Sequence, residues 1–144
     1  MADDVLINKA VTIERCVARA REEYAKDPAT FAMDSTRQDA AVLNIQRACE
    51  AALDIGQHVV RRGRLGLPQQ ARDVFELMAA GGWIDAALAG RLGKMVGYRN
   101  IAMRECQKLL LPVTVAVITT HLVDFLDFSR AVLLRDGGTG RAIG

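Results

Sequence analysis

The chain has 144 residues, of which 51% are hydrophobic and 25% are charged. This length and balance predict one globular domain and exclude an intrinsically disordered chain. The net charge is only +2, from 19 basic and 17 acidic residues, so any binding of nucleic acid requires a local basic cluster. Aromatic residues make up 5%, so the core must be built from Ala, Leu, Val and Ile, which favours closely packed helices.

The cysteines and the apolar runs indicate a cytoplasmic protein that does not enter a membrane. Cys16, Cys49 and Cys106 have no C-x-x-C spacing and no histidine partners at zinc-ligand intervals. An odd number of cysteines without a disulfide framework is typical of the reducing cytoplasm, and we expect Cys16 and Cys49 to be buried thiols. The acidic N-terminus does not resemble a signal peptide. The longest apolar stretch, 109–118, is far shorter than the roughly 20 residues that span a bilayer.

The first two helices are predicted from apolar residues at spacings of three and four. The first ends at Asp27-Pro28, because the residue before a proline is driven out of the helical conformation. The second begins near Asp34-Ser35-Thr36, where Ser35 and Gln38 match the spacing of a capping box. It runs to about Arg62 and is stopped by Gly63 and Gly66. Apolar residues on two of its sides predict that it is the central helix. These two stripes are Ala41, Ile45, Ala48, Ala52, Ile55 and Val59, and Val42, Cys49, Leu53 and Val60.

Three further helices are predicted in the second half of the chain. They cover about 70–80, then 84 toward 99, and a last helix that Pro112 is expected to open, because proline is favoured in a first turn. The Gly-rich segment 137–144 is expected to be a flexible tail. No segment shows the alternation of a strand, so the predicted fold class is all-α, a compact antiparallel bundle of about five helices over residues 1–136.

The sequence lacks the motifs of several well-known active sites. It has no phosphate-binding glycine loop between a strand and a helix, no G-x-S-x-G and no H-E-x-x-H. Its two histidines, His58 and His121, have no partner at metal-ligand spacing, so no metal and no cofactor are predicted. Asp54 lies one turn before His58, and the pair is expected to hydrogen-bond, either bracing the bundle or orienting a basic group near a cleft. His121 is interpreted as a packing or interface residue.

The most informative segment is 97–106, which reads Gly-Tyr-Arg-Asn-Ile-Ala-Met-Arg-Glu-Cys. With Tyr98-Arg99-Asn100 it resembles the signature of the HepT-like family, a branch of the HEPN superfamily, in which Tyr or Phe, Arg and Asn are followed after a short gap by His-x-Tyr. The resemblance extends over nearly the whole chain and implies a HEPN-like helical fold. The other stretches that carry it are Gln46 to Glu50, Arg72 to Leu77, Gly82 to Ile84, and Leu111-Pro112.

The resemblance implies a metal-independent ribonuclease site that contains Arg99 and Asn100. In the family this site uses an arginine and, a few residues later, a histidine, in a cleft at a dimer interface. Here Arg104 stands at the histidine position and Cys106 at the following tyrosine position. Transesterification of RNA needs a group that exchanges a proton near neutral pH, whereas a guanidinium stays protonated. Arg99 and Arg104 are therefore expected to bind phosphate with little cleavage, since loss of a general acid–base costs about 10²–10⁴-fold.

The residue at position 106 bears on a second property that the resemblance implies. In the family, an MntA-like nucleotidyltransferase antitoxin transfers AMP to the tyrosine and silences the toxin. Cys106 lacks the phenolic oxygen that accepts AMP, so neutralisation is expected to depend on tight binding of the antitoxin instead. The other interpretation is that Cys106 is one more buried thiol.

Three functions remain open on the sequence. The first is the toxin of a type VII-like HepT/MntA toxin–antitoxin system, an RNA endonuclease scaffold impaired by its altered motif. The second is a non-catalytic helical dimer that binds a partner nucleotidyltransferase, with Arg99 in a structural ion pair. The third, a nucleotide-binding regulatory bundle, has only the arginine cluster in its favour. Five residues turn a regular helix by about 140°, so a joint site of Arg99 and Arg104 requires a helix break before Pro112 or a second protomer.

Overall fold

The structure is a computed structural model that describes the backbone of residues 3–102 and 107–143 and the side chains of residues 3–102 and 110–137. Within these ranges it contains six α-helices and no strand, so the predicted all-α class is confirmed. The helices are α1 (Asp4–Ala25), α2 (Ser35–Gly63), α3 (Asp73–Ala80), α4 (Ala86–Ala102), α5 (Gln107–Ala116) and α6 (Leu122–Ile143), with a 3₁₀ turn at Phe31–Met33 and a π-helical segment at Val117–His121.

The first two helices form an antiparallel hairpin that one arginine side chain closes. α1 ends at Ala25, shortly before Pro28, as the sequence predicts. The last carbonyl groups of a helix lack partners within the helix. The Arg37 guanidinium, in the first turn of α2, donates to the carbonyl oxygens of Glu23 at 2.9 Å and Tyr24 at 3.2 Å. This contact holds the end of α1 against the start of α2 and sets the register in which the two helices pack.

The start of α2 differs from the predicted capping box. The cap is Asp34, whose carboxylate accepts from the Arg37 backbone N–H at 3.1 Å, so Ser35 is already the first residue inside the helix. Gln38 does not reach back to the cap but donates to the Phe31 carbonyl oxygen at 2.8 Å. The predicted start near Asp34-Ser35-Thr36 is therefore confirmed, whereas the capping box of Ser35 and Gln38 was wrong. The physical reason is that an aspartate carboxylate is a charged acceptor and an equally favoured cap.

α2 is the central helix, as its two apolar stripes predict. It contacts α1, α3, α4 and α6, and residues of both stripes are buried. The predicted buried thiols Cys16 and Cys49 are both confirmed. α3 packs closely on α2 at Gly56, where a Cβ atom would lie 2.1 Å from the Val74 Cγ1 atom of α3. The absence of a side chain at this position lets α3 pack directly on α2.

The C-terminal part of the fold differs from the prediction in where its helices begin and end. Pro112 does not open its helix but lies inside α5, which begins at residue 107. The expectation that proline takes a first-turn position was therefore wrong. Because proline has no backbone N–H, one hydrogen-bond donor is absent from the interior of α5. The π-helical segment Val117–His121 follows, and then α6. α6 continues through Ile143, beyond residue 136, so the division into a domain and a tail 137–144 stays a prediction.

The segment Leu110–Gly137 is long and apolar enough, by length and composition alone, to cross a membrane. The longest uninterrupted apolar run, 109–118, did not reveal this segment, because polar residues interrupt it. In the structure the segment contributes Leu122, Phe125, Phe128 and Val132 to the buried core, each fully shielded from solvent. Of its most apolar 18-residue window, 33% is buried inside the protein.

Candidate functional site

The predicted site residues Tyr98, Arg99 and Asn100 lie in the last turns of α4. Tyr98 is buried, and its hydroxyl group lies 2.7 Å from the Thr114 Oγ1 atom on α5. Burial raises the pKa of Tyr98, so the phenol stays neutral near physiological pH. This hydrogen bond ties the end of α4 to the helix after the undescribed residues 103–106. It thereby helps to define the position of the neighbouring Arg99.

Arg99 is held between two helices rather than exposed to solvent. Its side chain is only 16% exposed, and its Nη1 atom donates to the carboxylate of Glu50 on α2. Its Nε and Nη2 atoms both donate to the Asn100 side-chain oxygen, at 3.3 and 3.0 Å. A guanidinium has five N–H donors, so these contacts orient the group while two donors remain for a phosphate. The Glu50 side chain itself is 57% exposed, which places this pair at the protein surface.

The ion pair between Arg99 and Glu50 was predicted only in part, since a structural ion pair of Arg99 was expected without a named partner. Glu50 lies 49 positions away, so no local spacing points to it. A signal was nevertheless present, because Glu50 belongs to the Gln46 to Glu50 stretch of the central helix that carries part of the family resemblance.

Cys49 lies beside this pair but cannot serve as a nucleophile at neutral pH. Its thiol is buried, and burial raises its pKa to about 12. The positive charge of Arg99 opposes this shift without cancelling it. Because the thiolate is the reactive form of cysteine, Cys49 is an inert core residue.

Two of the predicted site residues, Arg104 and Cys106, lie outside the described residues. The joint phosphate clamp of Arg99 and Arg104 and the exchange of tyrosine for Cys106 therefore stay predictions. α4 ends at Ala102 and α5 begins at Gln107. The helix break that a joint site requires falls on residues 103–106, outside the described residues, and stays a prediction.

The expected hydrogen bond between Asp54 and His58 was wrong. Asp54 instead pairs with Lys9 of α1 at 3.0 Å, and the His58 Nε2 atom lies 2.6 Å from the Asp3 carboxylate. The physical reason is the antiparallel packing of α1 along α2, which brings a cation to Asp54 and an anion to His58. Both residues are engaged in holding the hairpin together, and their supporting role at a functional site stays a prediction.

Asp3 is the centre of a charged cluster at one end of the bundle. Its carboxylate accepts from Arg62 at 2.9 Å, and its backbone N–H donates to Asp136 of α6 at 2.9 Å. Arg62 also donates to Asp136 at 3.1 Å. The hydrogen bond from His58 lowers the pKa of Asp3, although partial burial opposes the shift. The cluster links the ends of α1, α2 and α6, and this is a stabilising role.

The second histidine, His121, which was interpreted as a packing or interface residue, has a side chain that is about half exposed. It lies on the π-helical segment, and its Nδ1 atom is 3.8 Å from the Asp124 Oδ2 atom. The other oxygen of Asp124 accepts from Arg91 Nε of α4 at 3.0 Å. Its role at an interface stays a prediction. Among the described residues, no group of three His, Cys, Asp or Glu side chains is placed to hold a metal ion.

Comparison with known families decides where this architecture belongs. A family model described as Ribonuclease HepT-like matches residues 13–132. The chain belongs to this family. The match includes the central helix, the Glu50 and Arg99 pair and the whole segment 97–106, so the resemblance predicted from the sequence is confirmed.

Relatives of the HepT-like chain agree in sequence and in fold. The mRNA nuclease HepT of Shewanella oneidensis is 45% identical over 126 residues, which cover 88% of this chain and 94% of that protein. A crystal structure of a toxin–antitoxin complex with AMP-PNP contains a chain 44% identical, with a TM-score of 0.86, over 90% of this chain and 98% of that one. A tri-AMPylated Shewanella oneidensis HEPN toxin in complex with an MNT antitoxin matches at 44% identity and a TM-score of 0.85, over 90% and 97% of the two chains.

Proposed function

We propose that this HepT-like protein is the ribonuclease toxin of a type VII-like HepT/MntA toxin–antitoxin pair, and that its catalysis is impaired by Arg104 and Cys106. The observation that carries the proposal is the presentation of Arg99. Its guanidinium lies at the end of α4, is held in one orientation by Glu50 and Asn100, and keeps two donors for a phosphate oxygen. The family match and the relatives described as toxins support the same function.

The chemistry of the site explains how the protein can bind RNA without cleaving it. In transesterification, the ribose 2′-hydroxyl attacks the phosphorus while the 5′-oxygen leaves, so one proton must be removed and one delivered. Arg99 supplies positive charge to the phosphate, which stabilises charge that develops in the transition state. Arg104 adds positive charge but cannot exchange a proton at neutral pH. With Arg104 and Cys106 in place, the protein therefore has a phosphate-binding site that lacks its general acid–base.

The proposal extends to the partners. RNA is the substrate class, and an MntA-like nucleotidyltransferase is the antitoxin, because the solved relatives are toxins in complex with such partners. Cys106 cannot accept AMP on a phenolic oxygen, so the antitoxin neutralises this protein by binding it. We also propose a homodimer, whose second protomer completes the cleft, and action in the cytoplasm, where mRNA and the antitoxin are both present.

An RNA cleavage assay with restored residues tests this function. The protein as written, the single variants Arg104→His and Cys106→Tyr, and the double variant are incubated with one RNA at neutral pH. We expect the double variant to cleave about 10²–10⁴-fold faster, because it regains a group that titrates near neutrality. Adding Arg99→Ala to the double variant should abolish that gain. Rapid cleavage by the protein as written, unaffected by Arg99→Ala, would contradict the proposal.

The second candidate is a non-catalytic helical dimer that binds a nucleotidyltransferase. One observation favours it, because the Glu50 carboxylate already neutralises Arg99 as in a purely structural ion pair. This candidate predicts a partner that co-purifies without any RNA affinity, and an interaction that survives Arg99→Ala. Absence of growth arrest after both restorations at positions 104 and 106 would favour it over the toxin.

A further inference from the structure

A second basic feature, besides Arg99, lies between α1 and α2. α1 and α2 enclose an open groove with a volume of about 530 Å³, here called the α1–α2 groove. Its walls carry Arg15 and Arg19 from α1 and Arg47 from α2, and Asn44 and Cys16 lie between them. None of the described residues that line it is acidic. In a protein of net charge +2, three arginines on one groove form the kind of local cluster that nucleic-acid binding requires.

Two of these arginines carry charge that nearby acids do not compensate. Arg19 is paired with Glu22 at 3.3 Å and with Glu23 at 2.7 Å. Arg15 and Arg47 are exposed, and within the described part of the chain neither makes a hydrogen bond or an ion pair. Both charges act on the interior of the groove. Burial raises the pKa of the Cys16 thiol, and Arg47 and Arg15 are the groups that oppose this shift.

The groove also offers a hydrogen-bond acceptor. Asn44 is buried, and its Nδ2 atom donates to the Ala40 carbonyl oxygen at 2.8 Å. That bond fixes the side-chain amide and leaves its oxygen free to accept from a ribose hydroxyl or a base amino group. Two unpaired guanidinium groups beside such an acceptor suit a ligand that carries phosphates and hydroxyl or amino donors.

The α1–α2 groove is adjacent to the Arg99 site. Arg47 lies three residues before Glu50, so the two side chains are neighbours on α2, with Cβ atoms about 5–6 Å apart. Glu50 in turn binds Arg99. The unpaired guanidinium groups of the groove therefore lie near Arg99, with the Glu50 carboxylate between Arg47 and Arg99. An extended polyanion can contact both the groove and Arg99, whereas the acidic surface of a folded protein needs no continuity with Arg99.

We propose that the α1–α2 groove binds the phosphate backbone of single-stranded RNA beside the phosphate that Arg99 contacts. The inference rests on the proposed function, since it takes RNA as the substrate. Arg15 and Arg47 bind consecutive phosphates through charge-assisted hydrogen bonds, and Asn44 contacts a ribose or base between them. The groove thus holds a flanking part of the substrate, and its binding does not require the proton transfer that Arg104 cannot perform.

The test measures binding of a fluorescein-labelled single-stranded oligoribonucleotide to the full chain at several salt concentrations. The variant Arg15→Ala/Arg47→Ala should bind about tenfold more weakly. The slope of log affinity against log salt should become less steep by about 1.4, since each lost contact to single-stranded RNA removes about 0.7. Both arginines are exposed, so the melting temperature should stay unchanged.

A matched control removes two arginines elsewhere. Arg21 and Arg130 are also exposed. Arg21 is rotated about 200° around α1 from Arg19, which lines the groove, so Arg21 lies on a different face of the helix. The variant Arg21→Ala/Arg130→Ala has the same net charge as the groove variant and should keep the affinity and the salt slope. An equal loss in both variants would overturn the proposal, because it would reduce the effect to net charge. Loss of antitoxin binding with unchanged RNA binding would also overturn it and would assign the groove to the protein partner.

The same substitutions in the Arg104→His/Cys106→Tyr enzyme separate this proposal from the proposed function. If that enzyme cleaves RNA and the groove substitutions raise its KM without lowering its kcat, both proposals are supported. If it cleaves with an unchanged KM, the groove proposal fails and the ribonuclease function stands. If it does not cleave but the groove substitutions still weaken RNA binding, the groove proposal stands and the ribonuclease function fails.

Discussion

Gly56 offers a stringent test of how α2 and α3 pack. A Cβ atom at this position would lie 2.1 Å from Val74 Cγ1 and 3.3 Å from the Met78 Sδ atom. The first distance is far below van der Waals contact, so Gly56→Ala forces α3 away from the central helix. Val74 and Met78 are both fully buried, and neither can move without disturbing the core.

The magnitude follows from two opposing effects. Overpacking of a core costs about 1–3 kcal/mol, and so severe an overlap places the cost near 3 kcal/mol. Replacing glycine by alanine within a helix returns about 1 kcal/mol, because alanine loses less backbone entropy. The net destabilisation is about 2 kcal/mol. At about 2.1 cal/mol/K of unfolding entropy per residue, the 144-residue chain changes by about 0.3 kcal/mol per degree, so Tm should fall by about 6–7 °C.

Gly90 is the matched control. It also lies within a helix, α4, but a Cβ atom there would meet nothing within 4 Å. Gly90→Ala should therefore show only the gain in helix propensity and raise Tm by about 3 °C. Differential scanning calorimetry or thermal circular dichroism measures both variants. If Gly56→Ala raised Tm as Gly90→Ala does, the close packing of α2 and α3 described here would be refuted.

Two further predictions concern polar contacts. Tyr98→Phe and Thr114→Val should each lower the free energy of unfolding by about 1–3 kcal/mol, because either leaves a buried hydroxyl without its partner. The double variant should lose less than the sum of the two single losses. If urea unfolding showed that the two losses add, the hydrogen bond would be refuted. The pKa of Asp3 is lowered from 3.8 in the folded state, so its contribution to stability is present above that pH and is lost as the pH falls through the folded value. Asp3→Asn should therefore have a lower free energy of unfolding than the parent at pH 7, and the difference should shrink below pH 3.8. A difference that does not change with pH would show that the carboxylate charge contributes nothing to stability.

Local patterns predicted the helices well and their ends less well. The end of α1 before Pro28 and the central position of α2 follow from short-range rules, because proline geometry and apolar periodicity act within a few residues. The use of Asp34 rather than Ser35 as the cap of α2 and the interior position of Pro112 do not follow from such rules. Adjacent polar residues compete for the same cap. A proline is favoured in the first turn of a helix but not confined to it, so its position does not fix where the helix begins.

The residues of the candidate site could likewise be predicted only where they belong to a contiguous motif. Arg99 and Asn100 were recognisable from the motif, since a family signature is a property of contiguous residues. Glu50 and the Asp3 partner of His58 were not, because each contact joins residues about fifty positions apart.

The amino-acid sequence by itself therefore determined the helical class, the family and the arginine of the motif. Only the tertiary structure decided which charged groups meet. The antiparallel register of α1 and α2 sets the groove between Arg15 and Arg47, and the approach of α4 to α2 sets the pair of Arg99 with Glu50. The physical reason is that such pairs depend on the relative rotation and translation of whole helices, which the packing of the shared core selects.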